Sequence, residues 1–438
     1  MTFRLTILFI LLVFWRPQDW LFPWLWGIPL LDAVFLLSLL TLLIECDERR
    51  QRFPTSYPHI YLVVGIWVAS VMSQVVHTYF AAAMTVIPLV LKYCAFTVVM
   101  ITVLDRAERL RTMAILLVGM GCLISVHCLL QQSRGYGFTP WDAPILVIPE
   151  DGGAPYTRSY FYGIFNDPND TAQILAAAIP FAFAIPRRLT AFKTVLTGGV
   201  VALLVMAIQS THSRGGQVAL VVAAGLTVAL LFPTGWQKAA MAAVLVGFLA
   251  LCPYSSSHLD ESAHDRVAFW GEANQVFKRQ PLFGVGATSI LDFVQTDEDM
   301  SAHNAFVMCY TEIGLFGYWF WYGLLQLGIV GAWRSRTALK KPQTPEQAWL
   351  KRFAGLTVAA TGGYFASAFF LTRAFVYPTY FMFGLLGAIP VAAKRILAPD
   401  HPPLINVGKD LFLWCTVGTV LSVAYIYTII LILNRIYY

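Results

Sequence analysis

The chain has 438 residues, is 58% hydrophobic and only 12% charged, and carries a net charge of +6. A soluble domain is nearer half apolar and a quarter charged, so this composition excludes an ordinary soluble enzyme and indicates one polytopic membrane domain over 1–438. Basic loops facing anionic lipid account for the charge without nucleic acid. The seven cysteines are scattered, with no CxxC or His/Cys cluster, so neither a zinc site nor a disulfide framework is expected.

A membrane span needs roughly 20 apolar residues. Apolar runs occur at about 3–15, 28–45, 59–77, 83–104, 110–130, 169–186, 191–209, 215–232, 236–252, 304–333, 352–371, 376–394 and 409–434. The first is short and 304–333 is longer than one crossing requires, which leaves about 12 transmembrane helices as the expectation. All are helices, because backbone in lipid must satisfy its own hydrogen bonds. Arg4 precedes the first run as in a signal peptide, but Trp15-Arg16-Pro17 stands where small residues would mark cleavage, so the run reads as a retained span. Trp15, Trp20, Trp24 and Trp26 read as an interfacial belt.

With the N-terminus inside, the inner connections hold eighteen Lys and Arg and the outer ones nine: Arg16, Arg134, Arg158, Arg214, Arg266, Lys278, Arg279, Arg373 and Arg435. The bias fits the positive-inside rule and puts both longer loops, 131–168 and 253–303, outside. The outer cations then stand out. An Arg at the outer face is costly unless it meets an anion.

Four motifs lie on that side. Asn166-Asp167-Pro168-Asn169-Asp170 opens a span, with Pro168 suited to the first turn and Asn166 or Asp167 to the cap. The doubled Asn-Asp exceeds what capping needs, and Arg158 lies eight residues upstream. Ser210-Thr211-His212-Ser213-Arg214-Gly215-Gly216 joins two spans, with Gly215 and Gly216 expected to free the turn. In the large loop, Val267, Trp270, Ala273 and Phe277 share one helical face, which predicts an amphipathic helix on the outer surface with Arg266 beside Trp270. Pro281-Leu282-Phe283-Gly284-Val285-Gly286 then allows close backbone approach. Last, Ser301 is a plausible N-cap for a helix with His303 in its first turn, ahead of Asn304, Glu312 and Gly314. There the helix dipole and any nearby Arg disfavour imidazolium, and a neutral His can act as general base. The acidic run Asp297-Glu298-Asp299 lacks further clustered ligands and reads as solvated loop rather than a metal site.

Together, the Asn166–Asp170 run, Ser213-Arg214-Gly215, Arg266 with Trp270, Pro281–Gly286, and His303-Asn304 before Glu312 and Gly314 resemble the O-antigen ligase/polymerase superfamily of Gram-negative inner membranes. The resemblance covers roughly residues 155–330; the remaining spans agree only as generic spans. It implies an all-α polytopic bundle, GT-C-like, whose large periplasmic loop contains amphipathic helices and covers the active site. It implies transfer of a glycan from undecaprenyl diphosphate, without metal or other cofactor, to lipid A–core in the ligase branch. Arg214 and Arg266 would hold the diphosphate and His303 would serve the acceptor. Arg158, Asn166, Asn169, Trp270 and Asn304 would line the site. The motifs do not separate ligase from polymerase or protein O-glycan ligase. A transporter of the same lipid would also want outer cations and an apolar groove, but the polar residues cluster on one side, with few of the midplane charges or broken helices that mark transporters. A metal-dependent transferase using Asp297 and Asp299 is a further alternative.

Overall fold

A computed structural model of the protein describes residues 1–25, 27–48, 57–149, 153–186, 190–231, 261–294 and 303–437, with isolated positions between 235 and 246. The chain is an all-α polytopic membrane protein. Its helices are α1 (Thr2–Phe14), α2 (Pro17–Trp20), α3 (Leu30–Glu48), α4 (Pro58–Val75), α5 (Phe80–Val103), α6 (Ala107–Arg134), α7 (Pro168–Ala182), α8 (Ala191–Ser210), α9 (Arg214–Leu231), α10 (Glu261–Arg279), α11 (Ala305–Ala338), α12 (Pro345–Ala368), α13 (Tyr377–Ile396) and α14 (Val407–Tyr437). A short antiparallel hairpin pairs β1 (Ile145–Val147) with β2 (Tyr156–Arg158).

Among the described residues, seven helices are long and apolar enough to cross a membrane: α4, α5, α6, α8, α9, α11 and α14. The other expected spans at 3–15, 28–45, 169–186, 352–371 and 376–394 are helical as well. The run 236–252 falls, apart from isolated positions, outside the described residues, as do Asp297, Glu298, Asp299 and Ser301.

The chain groups into two compact units. The first comprises Met1–Gln51, Val103–Cys252 and Leu339–Ser367. Its centre is α7, which packs against α6, α8 and α9. At 15 residues α7 is about 22 Å long, shorter than a bilayer core of roughly 30 Å. A helix apolar all round survives by being buried all round, and Ala172, Leu175, Ala176, Ala177, Ala178 and Phe181 are each fully buried. Between helices in lipid, close packing of small residues drives association more than apolar burial does. A side chain at Gly216 of α9 would start 2.3 Å from the Ala172 methyl, and one at Gly363 of α12 would start 2.7 Å from that of Ala223.

The second unit comprises Arg52–Thr102, Pro253–Ala338 and Ala368–Tyr438. Its centre is α11, packed against α4, α10, α13 and α14. Its 34 residues are interrupted at Gly314, with φ 64° and ψ −175°, so the unusually long apolar run is a short helix from Ala305 followed by a long one. The segment Pro281–Gly286 lies in this break. Val285 N donates to Thr311 O (3.0 Å), Gly286 N to Glu312 O (3.0 Å), Leu315 N to Pro281 O (2.8 Å) and Phe316 N to Leu282 O (3.0 Å). Main-chain groups freed by the break are thereby satisfied inside protein, the condition for irregular backbone at such depth. The expected close approach requires glycine: a Cβ at Gly284 would fall 2.4 Å from Glu312 O, and one at Gly314 would fall 2.2 Å from Leu282 O.

Helix α10 is amphipathic as expected, with Val267, Phe269, Trp270 and Ala273 all at 0% exposure. Its apolar face is turned onto α11 and α14 rather than onto lipid headgroups. The 31 residues of α14 span about 46 Å, more than a bilayer core needs, so part of it is free to pack against a loop helix. Polar groups set the register: Asn434 Nδ2 donates to Val267 O (2.9 Å) and Asn274 Nδ2 to Tyr427 O (3.3 Å).

Candidate active site

In the first unit, Arg158, Asn169 and Ser213 come together. Strand β2 ends at Arg158 and runs on beside the α8–α9 turn, where Ser159 N donates to Ser210 O at 3.0 Å. Arg158 Nε donates to Thr211 O (3.0 Å) and its Nη2 to Asn169 Oδ1 (3.2 Å). The same Oδ1 accepts from Ser213 Oγ at 2.7 Å. One amide oxygen thus ties the hairpin, the start of α7 and the start of α9. Asp167 is the α7 cap, accepting from Asn169 N at 2.7 Å, with Pro168 at the first helical position. Asn166 is exposed.

Ser213 Oγ accepts from Gly216 N at 2.9 Å, so α9 begins with a neutral cap, and exposed Arg214 follows at once. The turn's freedom resides elsewhere than expected: His212 takes the left-handed φ of 49°, while Gly216 serves the packing on α7. A helix end capped only by a neutral hydroxyl, with its dipole unanswered by a carboxylate and a guanidinium beside it, favours an anion. The α7 start differs, because the Asp167 carboxylate already answers its dipole and Asp170 is buried in its first turn. Among the other cations expected on the outer face, Arg16 is paired with Asp19 at 2.7 Å, and Lys278 and Arg279 sit exposed in the last turn of α10, where cations suit the helix end.

In the second unit, Arg266 is half-buried on α10. Trp270, one turn on, has no exposure and meets Phe369 edge to face, with ring centroids 5.8 Å apart. The next turn is fixed by Asn274, whose Oδ1 accepts from Tyr310 OH at 2.6 Å.

His303 is half-buried and has φ 39°. It lies outside the helix rather than in its first turn. The cap is Asn304, whose Oδ1 accepts from Phe306 N (3.0 Å) and Val307 N (3.1 Å), and this oxygen at the second helix residue's reach displaces His303 one position outward. Among the described residues, the buried Asn304 Nδ2 has no hydrogen-bond partner. His303 N donates to Thr372 Oγ1 at 2.8 Å. The loop after α12 therefore brackets both halves of this cluster, since Phe369 touches Trp270 and, at 6.2 Å, Phe306. Thr372 and its neighbour Arg373 were not singled out by motif. The available signal was Arg373 itself, one of the nine cations expected on the outer face.

Glu312 and Gln74 flank the glycine segment. Gln74 Nε2 donates to Ala287 O (2.6 Å), His77 Nε2 lies 2.6 Å from Gly284 O, and Ser73 Oγ accepts from Ala287 N at 3.0 Å. Glu312 is fully buried, with the backbone amides of Thr288 and Ile290 facing its carboxylate.

A search among curated proteins found no match. Residues 199–322 match the family model described as O-antigen ligase, an interval that includes Arg214, Arg266, Trp270, His303 and Asn304 and leaves out Arg158, Asn166 and Asn169. That stretch of the chain is therefore similar to the O-antigen ligase family, and the match supports a place in its superfamily of glycosyltransferase-like ligases and polymerases that use lipid-linked glycans.

Proposed function

We propose that this chain is an O-antigen ligase, transferring glycan from undecaprenyl diphosphate to lipid A–core at the periplasmic face of a Gram-negative inner membrane. The observation that carries the reading is that the matched interval contains the two arginines and the histidine the chemistry asks for. A lipid diphosphate is the natural leaving group where no nucleotide sugar is supplied. As the anomeric C–O bond breaks, negative charge grows on the diphosphate. Guanidinium groups match its oxygens with paired donors and stabilise the transition state. Arg214 and Arg266 have this role, with Arg158 assisting and Asn169 orienting Arg158.

His303 takes the proton from the acceptor hydroxyl as that oxygen attacks. Direct displacement inverts the anomeric configuration, and no metal enters the scheme. The buried Nδ2 of Asn304 is a spare donor beside His303. An apolar groove of about 610 Å³ supports a lipid donor: it starts at Phe306 and Phe369, beside the histidine cluster, and continues between Tyr322 and Leu325 of α11 and Leu421 and Tyr425 of α14. It suits the polyprenyl chain.

The test is reconstitution of purified protein with lipid-linked glycan and rough lipopolysaccharide, with and without chelator. Glycan on lipid A–core is the expected product, unaffected by chelator. Lengthened glycan on the carrier would make the protein a polymerase, and chelator-sensitive transfer would remove the metal-free scheme.

A further inference from the structure

The opposite end of the first unit carries a second amphiphilic cleft that glycan transfer does not use. It measures about 320 Å³ and lies between α6, the end of α7 and α8. Arg111 and Lys193 stand at one end of it, and Val118, Ala182, Leu196 and Val200 form its walls. Helices α6 and α8 both start at this end and pack on each other. Each cation lies seven residues before an apolar wall residue on its own helix, Arg111 before Val118 and Lys193 before Val200. The walls therefore reach about 10 Å deeper than the cations at helical rise.

The cations keep donors to give. Arg111 Nε donates to Ile185 O at 3.0 Å, its one polar contact among the described residues, which fixes the guanidinium and leaves both terminal nitrogens. Lys193 is exposed. Glu108 and Glu346 line the neighbouring cleft on the far side of Arg111. The α8 face is turned outward, with Leu196 at 60% exposure. The basic ends of α6 and α8 belong to the side that the positive-inside rule puts in the cytoplasm.

We propose that this cleft binds an anionic phospholipid of the inner leaflet, its phosphodiester between Arg111 and Lys193 and one acyl chain along Val118, Leu196 and Val200. Basic pockets between spans on the cytoplasmic side recognise such headgroups. The grading from cationic mouth to apolar depth, matched on two parallel helices, favours an amphiphile over a free anion. The inference does not depend on the glycan-transfer reading.

Native mass spectrometry of the full chain, exchanged into mixed micelles of phosphatidylglycerol and phosphatidylcholine, tests it. The expected result is retention of phosphatidylglycerol about tenfold over phosphatidylcholine. Arg111→Gln with Lys193→Gln should abolish the preference. Lys193→Glu, on an exposed side chain that leaves the Arg111–Ile185 contact intact, should do so without risk to folding. Val200→Trp keeps both cations and fills the apolar depth, and should also lower retention several-fold. Equal retention of the two lipids by the unaltered chain would overturn the proposal, as would a preference that survives Lys193→Glu. Displacement by soluble glycerol phosphate as effective as by lipid would show a free-anion site and equally overturn it.

Discussion

Around Arg158 the side chains hold one another, whereas around Gly284 the main chain holds itself. In the first cluster, Arg158, Asn169 and Ser213 share one amide oxygen at a part-exposed junction of loop and helix ends. In the second, four main-chain hydrogen bonds join Pro281–Gly286 to the broken helix, and glycine is needed on both sides of the joint. The first arrangement is adjustable and polar and suits recognition of a charged ligand. The second is rigid and sterically exacting, and it sets where α10 and His303 emerge. Substitution should therefore separate them: the first cluster fails in activity, the second in fold.

The largest effects should come from the charged residues of the proposed chemistry. Arg214→Ala, Arg266→Ala and His303→Ala are each expected to lower transfer by about 10²–10³-fold or more, the range for removing one preorganised transition-state contact. Membrane insertion and yield should be unchanged. The reconstituted assay measures this, and near-normal transfer by His303→Ala would remove the histidine as base. Arg214→Lys should fail nearly as badly, because an ammonium cannot replace paired planar donors.

Next come the glycines of the second cluster. Gly314→Ala places a methyl 2.2 Å from Leu282 O at a backbone of φ 64°. The left-handed backbone alone costs about 1–3 kcal/mol, and the overlap adds to it. Lower yield and a reduced unfolding temperature in detergent are expected, with total transfer falling in step with the folded fraction. A stable but inactive Gly314→Ala protein would break the comparison, because the joint would then serve chemistry rather than architecture.

The spans were legible because length and hydropathy determine them almost locally, as was the start of α7, where Asp167 and Pro168 act within one turn. The glycine segment was legible as a place of close approach, since glycine at two of three positions has few other uses. Its partner was not, because the break at Gly314 depends on hydrogen bonds to residues about thirty positions earlier. The same limit explains His303. Ser301 and Asn304 are both good caps by type, and tertiary placement, with Thr372 holding the His303 amide, goes with Asn304. At His212 the glycine signal misled: Gly216 was taken up by helix packing, leaving a histidine to make the turn. Trp270 reads from sequence as a neighbour of Arg266 but not as buried, since Phe369 arrives from a distant loop.

A smaller effect is expected at Asn169, and it sharpens the account of the first cluster. Asn169→Ala leaves the Arg158 guanidinium and the Ser213 hydroxyl without their shared acceptor. Loss of an acceptor for a charged donor costs about 1–3 kcal/mol, so transfer should fall roughly ten- to a hundredfold with the protein still folded. Asn169→Asp restores the acceptor but adds a negative charge. If that oxygen only positions Arg158, the aspartate variant should be nearly normal. If the cluster receives a diphosphate, the aspartate should raise the donor KM while sparing kcat.

The smallest effect belongs to Asp167, whose carboxylate caps α7 by accepting from Asn169 N. Asp167→Ala removes the cap and should cost about 1 kcal/mol, seen as a small fall in unfolding temperature. Asp167→Asn keeps an oxygen in place and should preserve stability to within a few tenths of a kcal/mol, because Asn and Asp cap about equally well. It also removes a negative charge from the start of α7, next to the Arg158–Asn169 pair. An anion site there predicts that Asp167→Asn binds the lipid diphosphate as well as the unaltered chain or better, read as an equal or lower donor KM. A loss of transfer comparable with Arg214→Ala would instead make the carboxylate a participant, and the first cluster would have to be redrawn as an acid–base pair rather than a cationic seat.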